Sequence, residues 1–208
     1  MVDGQLRPNQ VRDEAVLAAM GRVPRELFVP KALQGVAYLD ADLAIAPGRW
    51  LMEPRVLARL LEAARIGPSE IVLVLACGTG YEAAVVARLA GTVVALEPDR
   101  ALRAQATDAL SALASDTVVL LPGDPAEGHP AQAPYDVILY CGAVPAIPPA
   151  VRAQLAPGGR LVAVLRPDSG PGRAVICFGG TSGGDLTTLF HAATPLLPRF
   201  APAPSFVF

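Results

Sequence analysis

The most informative segment of this chain is Ile71-Val72-Leu73-Val74-Leu75-Ala76-Cys77-Gly78-Thr79-Gly80-Tyr81. Its apolar run predicts a buried strand over 71–76, the two glycines predict a tight turn, and the residues from about 80 to 90 predict a helix. In an open α/β sheet, such a turn presents free backbone N–H groups to a nucleotide-like ligand. The segment therefore predicts an α/β fold with a ligand site at the carboxyl end of this strand.

A carboxylate at the end of the next predicted strand supports an adenosyl ligand. The run Thr92-Val93-Val94-Ala95-Leu96 ends at Glu97, about 20 residues after the glycine turn, where a carboxylate can bind ribose hydroxyls. Gly123 and Asp124, after a third predicted strand, would place a turn or a carboxylate near an adenine ring. The glycine turn alone would also suit a strand-to-helix connection that binds nothing, so the prediction depends on the combination.

Length and composition narrow the class of protein. The chain has 208 residues, 52% of them hydrophobic, which is enough for the core of one ordinary domain. The net charge is -2 and the 17 basic residues are scattered, so we expect neither a nucleic-acid partner nor a membrane anchor. The sequence shows neither a spanning apolar run nor a signal-peptide pattern, and its three cysteines suit reduced core thiols, so we expect a cytoplasmic protein.

We expect a single domain over 1–208 with three zones: an N-terminal helical cap over 1–66, a cofactor-binding α/β core over 67–165, and C-terminal strands over 166–208. In the first zone, Asp13 is a candidate cap for one helix and Pro54 for the first turn of another, with an irregular segment over 36–53 between them. The core alternates predicted strands (71–76, 92–96, 117–121, 135–140, 160–165) with predicted helices (80–90, 99–113, 148–155). Such alternation is typical of a parallel sheet with crossover helices.

The last zone predicts antiparallel strands. Ala174–Phe178 and Leu186–Phe190 flank a glycine-rich turn over 179–184, which predicts a hairpin at the edge of the sheet. The prolines near the end exclude a terminal helix, and Ser205–Phe208 is a candidate short last strand.

Further motifs are more specific: Val23-Pro24-Arg25-Glu26-Leu27-Phe28-Val29-Pro30, Ala37-Tyr38, Gly48-Arg49-Trp50-Leu51-Met52-Glu53-Pro54, Ala133-Pro134-Tyr135-Asp136-Val137-Ile138, Ile147-Pro148 and Pro157-Gly158-Gly159. With the glycine turn, they make the chain resemble the protein-L-isoaspartate O-methyltransferase family over nearly its whole length. The resemblance implies an S-adenosylmethionine-dependent methyltransferase (Rossmann-like) sheet with N-terminal helices over the cofactor. It also implies methyl transfer to the carboxylate of an isoaspartyl residue in a damaged protein or peptide, after which the ester cyclises to a succinimide.

The resemblance places S-adenosylmethionine or S-adenosylhomocysteine on a set of residues at the ends of the strands: Ala76, Cys77, Gly78, Thr79, Gly80, Tyr81, Glu97, Gly123, Asp124 and Cys141. Two of the family's donor-side features are changed in this chain. Val74 stands where an acidic residue is usual, and Ala76 stands in place of the first glycine. The methyl group of Ala76 crowds a close approach of backbone to ligand. We therefore expect cofactor binding with reduced affinity.

The acceptor side departs further from the family pattern T-I-S-x-P. Met52 stands where the family has the serine that contacts the substrate carboxylate, and a thioether cannot donate a hydrogen bond. Glu53 either faces solvent at a helix start or points inward and repels the carboxylate. Trp50 has the bulk and position to fill the acceptor pocket. These three residues are the candidate acceptor-side residues.

The implied chemistry needs no general base, because a carboxylate is already a nucleophile at neutral pH and alignment supplies most of the rate. His129 and His191 are therefore interpreted as surface or structural residues, and we expect no metal site. Cys77 and Cys141 end strands that would be neighbours, so an oxidative link between them across the cofactor cleft is a further hypothesis.

Three functions remain open on the sequence alone. The first is a working methyltransferase of this family, or a relative that methylates another carboxylate. The second is an interaction protein that binds the cofactor without transfer, which the loss of the hydroxyl at Met52 favours. The third is a structural protein whose cofactor cleft is filled, which the residues Val74 and Ala76 would indicate. The oligomeric state stays open.

Overall fold

The structure is a computed structural model that describes residues 1–167, 171–180 and 186–201. Its centre is a seven-stranded sheet in the order β5-β4-β3-β6-β7-β8-β9. The strands are β3 (Ile71–Leu75), β4 (Thr92–Leu96), β5 (Val118–Leu121), β6 (Tyr135–Val144), β7 (Leu155–Leu165), β8 (Arg173–Phe178) and β9 (Thr187–His191). The five neighbouring strands β5, β4, β3, β6 and β7 pair in parallel, which confirms the predicted fold class.

The order of the strands reverses between β3 and β6. From β3 the chain runs outward through β4 to β5 on one side and returns to β6 on the other. Such a switch point leaves a crevice at the carboxyl ends of the two central strands, where open α/β sheets bind their ligands. The segments that follow β3 and β4 and the far end of β6 meet at this edge, so Ala76, Glu97 and Cys141 lie there.

The strands form because their residues are apolar on both faces of the sheet. In β3 the side chains from Val72 to Leu75 are all buried, as are those from Val93 to Leu96 in β4. Continuous apolar runs of this kind belong to strands covered by helices on both faces. The predicted strand positions are confirmed for β3, β4 and β5 to within one residue.

The helices are α1 (Glu14–Arg22), α2 (Pro54–Ala64), α3 (Tyr81–Val86), α4 (Arg100–Ala112) and α5 (Pro149–Arg152). Asp13 caps α1 by accepting hydrogen bonds from Ala15 and Val16 N–H, as predicted. Pro54 occupies the first turn of α2, also as predicted. The predicted helix over 148–155 ends at Arg152, because β7 begins at Leu155 rather than at 160.

The prediction of an irregular segment over 36–53 is wrong for residues 43–51. β1 (Leu43–Ala46) and β2 (Arg49–Leu51) form a two-stranded antiparallel sheet, with Leu43 opposite Leu51 and Ala44 opposite Trp50. Leu43, Ile45, Arg49 and Leu51 are buried, while Ala44 and Trp50 are exposed. We call residues 43–51 the β1–β2 hairpin; it contacts β6 of the main sheet through β2.

The C-terminal hairpin is confirmed: β8 pairs antiparallel with both β7 and β9 and extends the sheet on that side. The predicted last strand, Ser205–Phe208, and part of the predicted turn over 179–184 lie outside the described residues. No helix among the described residues is long and apolar enough to cross a membrane. The division into three zones stays a prediction.

Candidate cofactor and acceptor site

In the loop after β3, every second residue from 76 to 80 has a positive φ. Ala76, Gly78 and Gly80 have φ values of 56°, 58° and 96°. Glycine adopts this region freely, but a residue with a Cβ does so at a cost of about 1–2 kcal/mol. Ala76 therefore occupies a backbone conformation that suits glycine.

Two amides of this loop already have partners within the chain. Cys77 N–H donates to Leu96 C=O at 3.0 Å, and Gly78 N–H donates to Glu97 Oε2 at 2.7 Å. These bonds tie the loop to β4. The free N–H groups that the sequence predicts are therefore not available at Cys77 and Gly78 in this conformation.

Glu97 is the most heavily bonded side chain of the site. Arg49 donates through Nη1 to Oε1 at 2.6 Å and through Nη2 to Oε2 at 2.7 Å, and Asp99 N–H donates to Oε1 at 2.9 Å. With the Gly78 bond, each carboxylate oxygen accepts two hydrogen bonds, which fills its usual capacity. Glu97 is fully buried, and Arg49 is only 7% exposed.

Arg49 reaches Glu97 from the β1–β2 hairpin and also donates through Nη2 to Ala76 C=O at 3.0 Å. Burial opposes the charge of Arg49, but the hydrogen bonds and the charge of Glu97 outweigh burial and raise the pKa of the guanidinium. The bidentate ion pair thus links hairpin, glycine loop and β4 at one buried point.

The space next to the glycines is occupied by other side chains. A Cβ built on Gly78 would lie 2.7 Å from Cδ1 of Ile45, which comes from the β1–β2 hairpin. A Cβ on Gly142 would lie 2.5 Å from Cδ2 of Leu197. What remains open is a cleft of about 380 Å³ lined by Pro47, Arg49, Ala76, Pro98, Asp99, Pro125, Leu197, Pro198 and Arg199.

Asp124, the predicted adenine-side carboxylate, lies beside this cleft and has its own arginine. Arg199 Nε donates to Asp124 Oδ2 at 2.7 Å, and Ala126 N–H donates to Oδ1 at 2.8 Å. Gly123 packs closely on β4, because a Cβ there would lie 2.8 Å from Leu96 Cδ1. Both predicted cofactor carboxylates are therefore paired with arginines of the chain itself.

Three further predicted cofactor residues serve packing in this structure. Thr79 Oγ1 donates to Phe28 C=O at 2.6 Å, and the Tyr81 ring packs edge-on against Phe28 at 5.5 Å. Gly80 lies close to α4, since a Cβ there would lie 3.1 Å from Ala106 Cβ. These contacts bind the glycine loop to the N-terminal segment and to α4.

The acceptor-side residues do not converge on a pocket. Met52 is buried, and its carbonyl accepts a hydrogen bond from Arg25 Nη2 at 2.6 Å. Trp50 is 40% exposed on the outer face of the hairpin, which gives no support to the idea that its ring fills an acceptor pocket. Glu53 faces neither open solvent nor the cleft, because its 13% exposed side chain pairs with Arg55 at 2.6 Å.

The acceptor side also contains a buried charged cluster that the sequence analysis does not predict. Arg25 is fully buried, donates through Nε to Ala37 C=O at 2.7 Å, and lies 4.8 Å above the ring of Tyr81. Burial raises the pKa of the neighbouring Glu82 to about 7, against the opposing effects of backbone N–H groups and of Arg25. Among the described residues, Arg25 Nη1 and Glu82 Oε1 have no hydrogen-bond partner.

The three cysteines are free and buried. Burial is the main cause that raises the pKa of Cys77 and of Cys141 well above the usual value, and Glu97 and Glu82 add to it. β3 and β6 are neighbours, so the geometric premise of the Cys77–Cys141 hypothesis holds, although the link itself stays a prediction. Within the described ranges, no group of three His, Cys, Asp or Glu side chains is placed to hold a metal ion.

The residues of the site match the chemistry of an adenosyl cofactor, but the arrangement does not accommodate one. The acidic residue for ribose, the left-handed loop and the switch-point crevice are present. However, Glu97 has no free acceptor site, and Ile45 and Leu197 fill the space beside Gly78 and Gly142. In this structure the β1–β2 hairpin and Leu197 occupy the positions next to the glycine loop and Gly142.

Sequence reasoning missed Arg49, Ile45, Arg25 and Glu82. One usable signal was the alternation in Arg49-Trp50-Leu51, because a strand puts Arg49 and Leu51 on one face and Trp50 on the other. Arg49 and Glu97 are 48 residues apart, and nothing local in the sequence indicates that they form a pair.

Comparisons with known proteins come from the sequence and from the fold. Residues 2–170 match the family model described as protein-L-isoaspartate(D-aspartate) O-methyltransferase. A protein-L-isoaspartate O-methyltransferase of Koribacter versatilis is 45% identical over 162 residues, covering 78% of this chain and 73% of the relative. One of Methylorubrum extorquens is 45% identical over 170 residues, covering 82% of this chain and 74% of the relative.

Two solved structures share the fold over almost all of the chain. A protein-L-isoaspartate O-methyltransferase superposes with a TM-score of 0.82 at 25% identity, covering 92% of this chain and 63% of that one. A Plasmodium falciparum protein described as a putative protein-L-isoaspartate O-methyltransferase, in complex with S-adenosyl-L-homocysteine, superposes with a TM-score of 0.81. At 16% identity, covering 95% of this chain and 97% of that one, it shows the fold alone.

Proposed function

Because the chain belongs to the protein-L-isoaspartate(D-aspartate) O-methyltransferase family, we propose that it methylates the carboxylate of isoaspartyl residues in damaged proteins, with S-adenosylmethionine as donor. The observation that carries the proposal is the family match over residues 2–170 together with identities near 45%. The comparisons give no support to the two non-catalytic alternatives. Fold and family thus agree on an enzyme.

The cofactor supplies an activated methyl group, and the acceptor carboxylate is itself the nucleophile. The protein's task is placement and exclusion of water rather than proton transfer. For this reason we assign no general base. We propose a reduced affinity for the cofactor, because Val74 and Ala76 depart from the family pattern on the donor side.

The residue assignments are proposals. On the donor side we propose the loop from Ala76 to Tyr81, Glu97, the Gly123-Asp124 turn and Cys141. On the acceptor side Met52 cannot give the hydrogen bond that a serine would give, so the carboxylate has to be held by other donors of the chain. Trp50 and Glu53 are retained only as neighbours of that region, because their side chains point outward or toward Arg55.

The proposed partners are isoaspartyl-containing proteins and peptides. We propose neither a nucleic acid nor a membrane as a partner. We propose the cytoplasm as the site of action, which the three free cysteines support, since oxidising compartments favour disulfides.

The direct test is methylation of a synthetic isoaspartyl peptide, measured as S-adenosylhomocysteine formed, beside the same peptide with a normal aspartate. We expect turnover only with the isoaspartyl peptide. The variant Glu97→Gln should lower turnover at limiting cofactor, whereas Asp108→Asn, on the exposed side of α4, should leave it unchanged. A folded protein that methylates neither peptide at saturating cofactor would contradict the proposal.

A further inference from the structure

The β1–β2 hairpin lies over the carboxyl edge of the sheet and makes two kinds of contact there. Arg49 forms the bidentate pair with Glu97 and a bond to Ala76 C=O. Ile45 occupies the space beside Gly78. One short segment of the chain thus covers both the ribose-binding carboxylate and the glycine loop.

Arg49 gives Glu97 the same type of interaction that a ribose would give. A ribose diol offers two hydroxyl donors to a carboxylate, and the guanidinium offers two N–H donors in a fixed fork. The remaining positions on each oxygen are already taken by Gly78 N–H and Asp99 N–H. Ribose and Arg49 therefore cannot bind Glu97 together.

We propose that the β1–β2 hairpin is a lid held closed by an internal ligand, Arg49, and that the cofactor binds only when Arg49 leaves Glu97. This inference rests on the proposed function and adds a regulation of the same site. The apparent affinity for the cofactor is then lower than the intrinsic affinity by the fraction of molecules that are open.

The hairpin has the features of a segment that can move as a unit. Its strands have four and three residues, and their pairing is irregular between Ala44 and Ala46. A two-stranded hairpin is marginal without further packing. The ion pair and the buried side chains of Leu43, Ile45 and Leu51 fasten it, so loss of the ion pair weakens a principal attachment.

The chain provides its own reporter of lid movement, since Trp50 is the single tryptophan and follows Arg49 directly. The experiment titrates S-adenosylhomocysteine into the wild-type protein and into Arg49→Met, by calorimetry and by Trp50 fluorescence. We expect Arg49→Met to bind about tenfold more tightly or better, because the internal competitor is removed. In the wild type, we expect binding to shift the Trp50 emission.

Arg160→Met is the matched control. Arg160 forms a second bidentate ion pair, with Glu70 at 2.6 and 2.7 Å, and bonds to carbonyls at the end of α2. Its loss should reduce stability as the loss of Arg49 does, but it should leave the affinity for S-adenosylhomocysteine unchanged. An equal gain in both variants would mean that general loosening, and not the release of Glu97, improves binding, and would overturn the proposal.

Trypsin gives a test that needs no variant. Trypsin recognises the arginine side chain, and Arg49 is only 7% exposed with its guanidinium bonded to Glu97, so cleavage after Arg49 requires the lid to open. We expect saturating S-adenosylhomocysteine to accelerate cleavage between Arg49 and Trp50 while other sites become slower. Uniform protection of all sites would contradict an opened lid.

The outcomes separate the lid from the proposed function. Equal affinity of wild type and Arg49→Met, with unchanged Trp50 emission, overturns the lid and leaves the methyltransferase intact. If Arg49→Met binds S-adenosylhomocysteine more tightly but the wild-type protein does not methylate the isoaspartyl peptide, the lid is supported and the proposed function is contradicted. Failure of both proteins to bind S-adenosylhomocysteine overturns both.

Discussion

Ala76 carries a backbone conformation that suits glycine. Its φ of 56° lies in the left-handed region, where a Cβ costs about 1–2 kcal/mol, partly offset by the greater freedom that glycine has when unfolded. We predict that Ala76→Gly raises the free energy of unfolding by about 0.5–1 kcal/mol, measured by urea denaturation.

Ala95→Gly, in the middle of β4, is the control for this substitution. That residue is buried in an extended strand, so the same change should lower stability by about 1 kcal/mol. If both variants lose stability, strain at Ala76 is not relieved by glycine and the loop is held by its side-chain packing instead.

Glu82 makes stability depend on pH. Burial raises its pKa to about 7, so the folded protein holds this proton more tightly than the unfolded chain, whose value is 4.5. The contribution of the protonated group to stability is complete below pH 4.5 and is lost as the pH rises through 7. Unlike most carboxylates in folded proteins, Glu82 therefore destabilises the fold at alkaline pH.

The variant Glu82→Gln keeps the shape and removes the titration. We predict that it matches the wild type near pH 5 and exceeds its stability by about 2 kcal/mol at pH 8, in denaturation series at both values. The exposed carboxylate substitution Asp108→Asn should show no such pH dependence. A wild type that is more stable than Glu82→Gln at pH 8 would mean that Arg25 depends on the charge of Glu82.

At the scale of the elements, local sequence specifies the starts of the helices better than their ends. Asp13 and Asp99 each accept two hydrogen bonds from the first turn of their helices, α1 and α4. We predict that Asp13→Ala and Asp99→Ala each lower the free energy of unfolding by about 1 kcal/mol, by urea titration. Asp13→Asn retains the acceptor and should lose much less; an equal loss would assign the effect to charge.

The elements that could be predicted are those with a clear local pattern. The buried strands β3 and β4 are continuous apolar runs, and α2 has apolar residues at helical spacing after Pro54, so the sequence pattern alone locates them. The β1–β2 hairpin was missed because its strands are short and one of its buried positions is an arginine. Arg49 can be buried only because Glu97 is there to pair with it, which is a property of the assembled sheet.

At the scale of the molecule, the sequence places the site at the carboxyl edge of the sheet but not the contacts inside it. The sequence predicts Glu97 and Asp124 as cofactor residues, whereas the fold pairs each of them with an arginine from a distant segment. Partners 48 and 75 residues apart come together only when the sheet, the hairpin and the C-terminal segment have assembled. The closed state of the site is therefore a tertiary property.

The three thiols allow this closed state to be followed over the whole molecule. Cys77 belongs to the loop after β3, and Cys141 lies in β6, the strand that the β1–β2 hairpin contacts, whereas Cys177 lies in β8, between β7 and β9. We predict that a thiol reagent labels all three slowly in the wild type, because all are buried and burial raises the pKa of each. In Arg49→Met, labelling of Cys77 and Cys141 should accelerate while Cys177 keeps its rate, as peptide mass mapping would show. Equal acceleration at all three would indicate global unfolding, and unchanged rates at all three would mean that the hairpin covers the cleft without help from the ion pair.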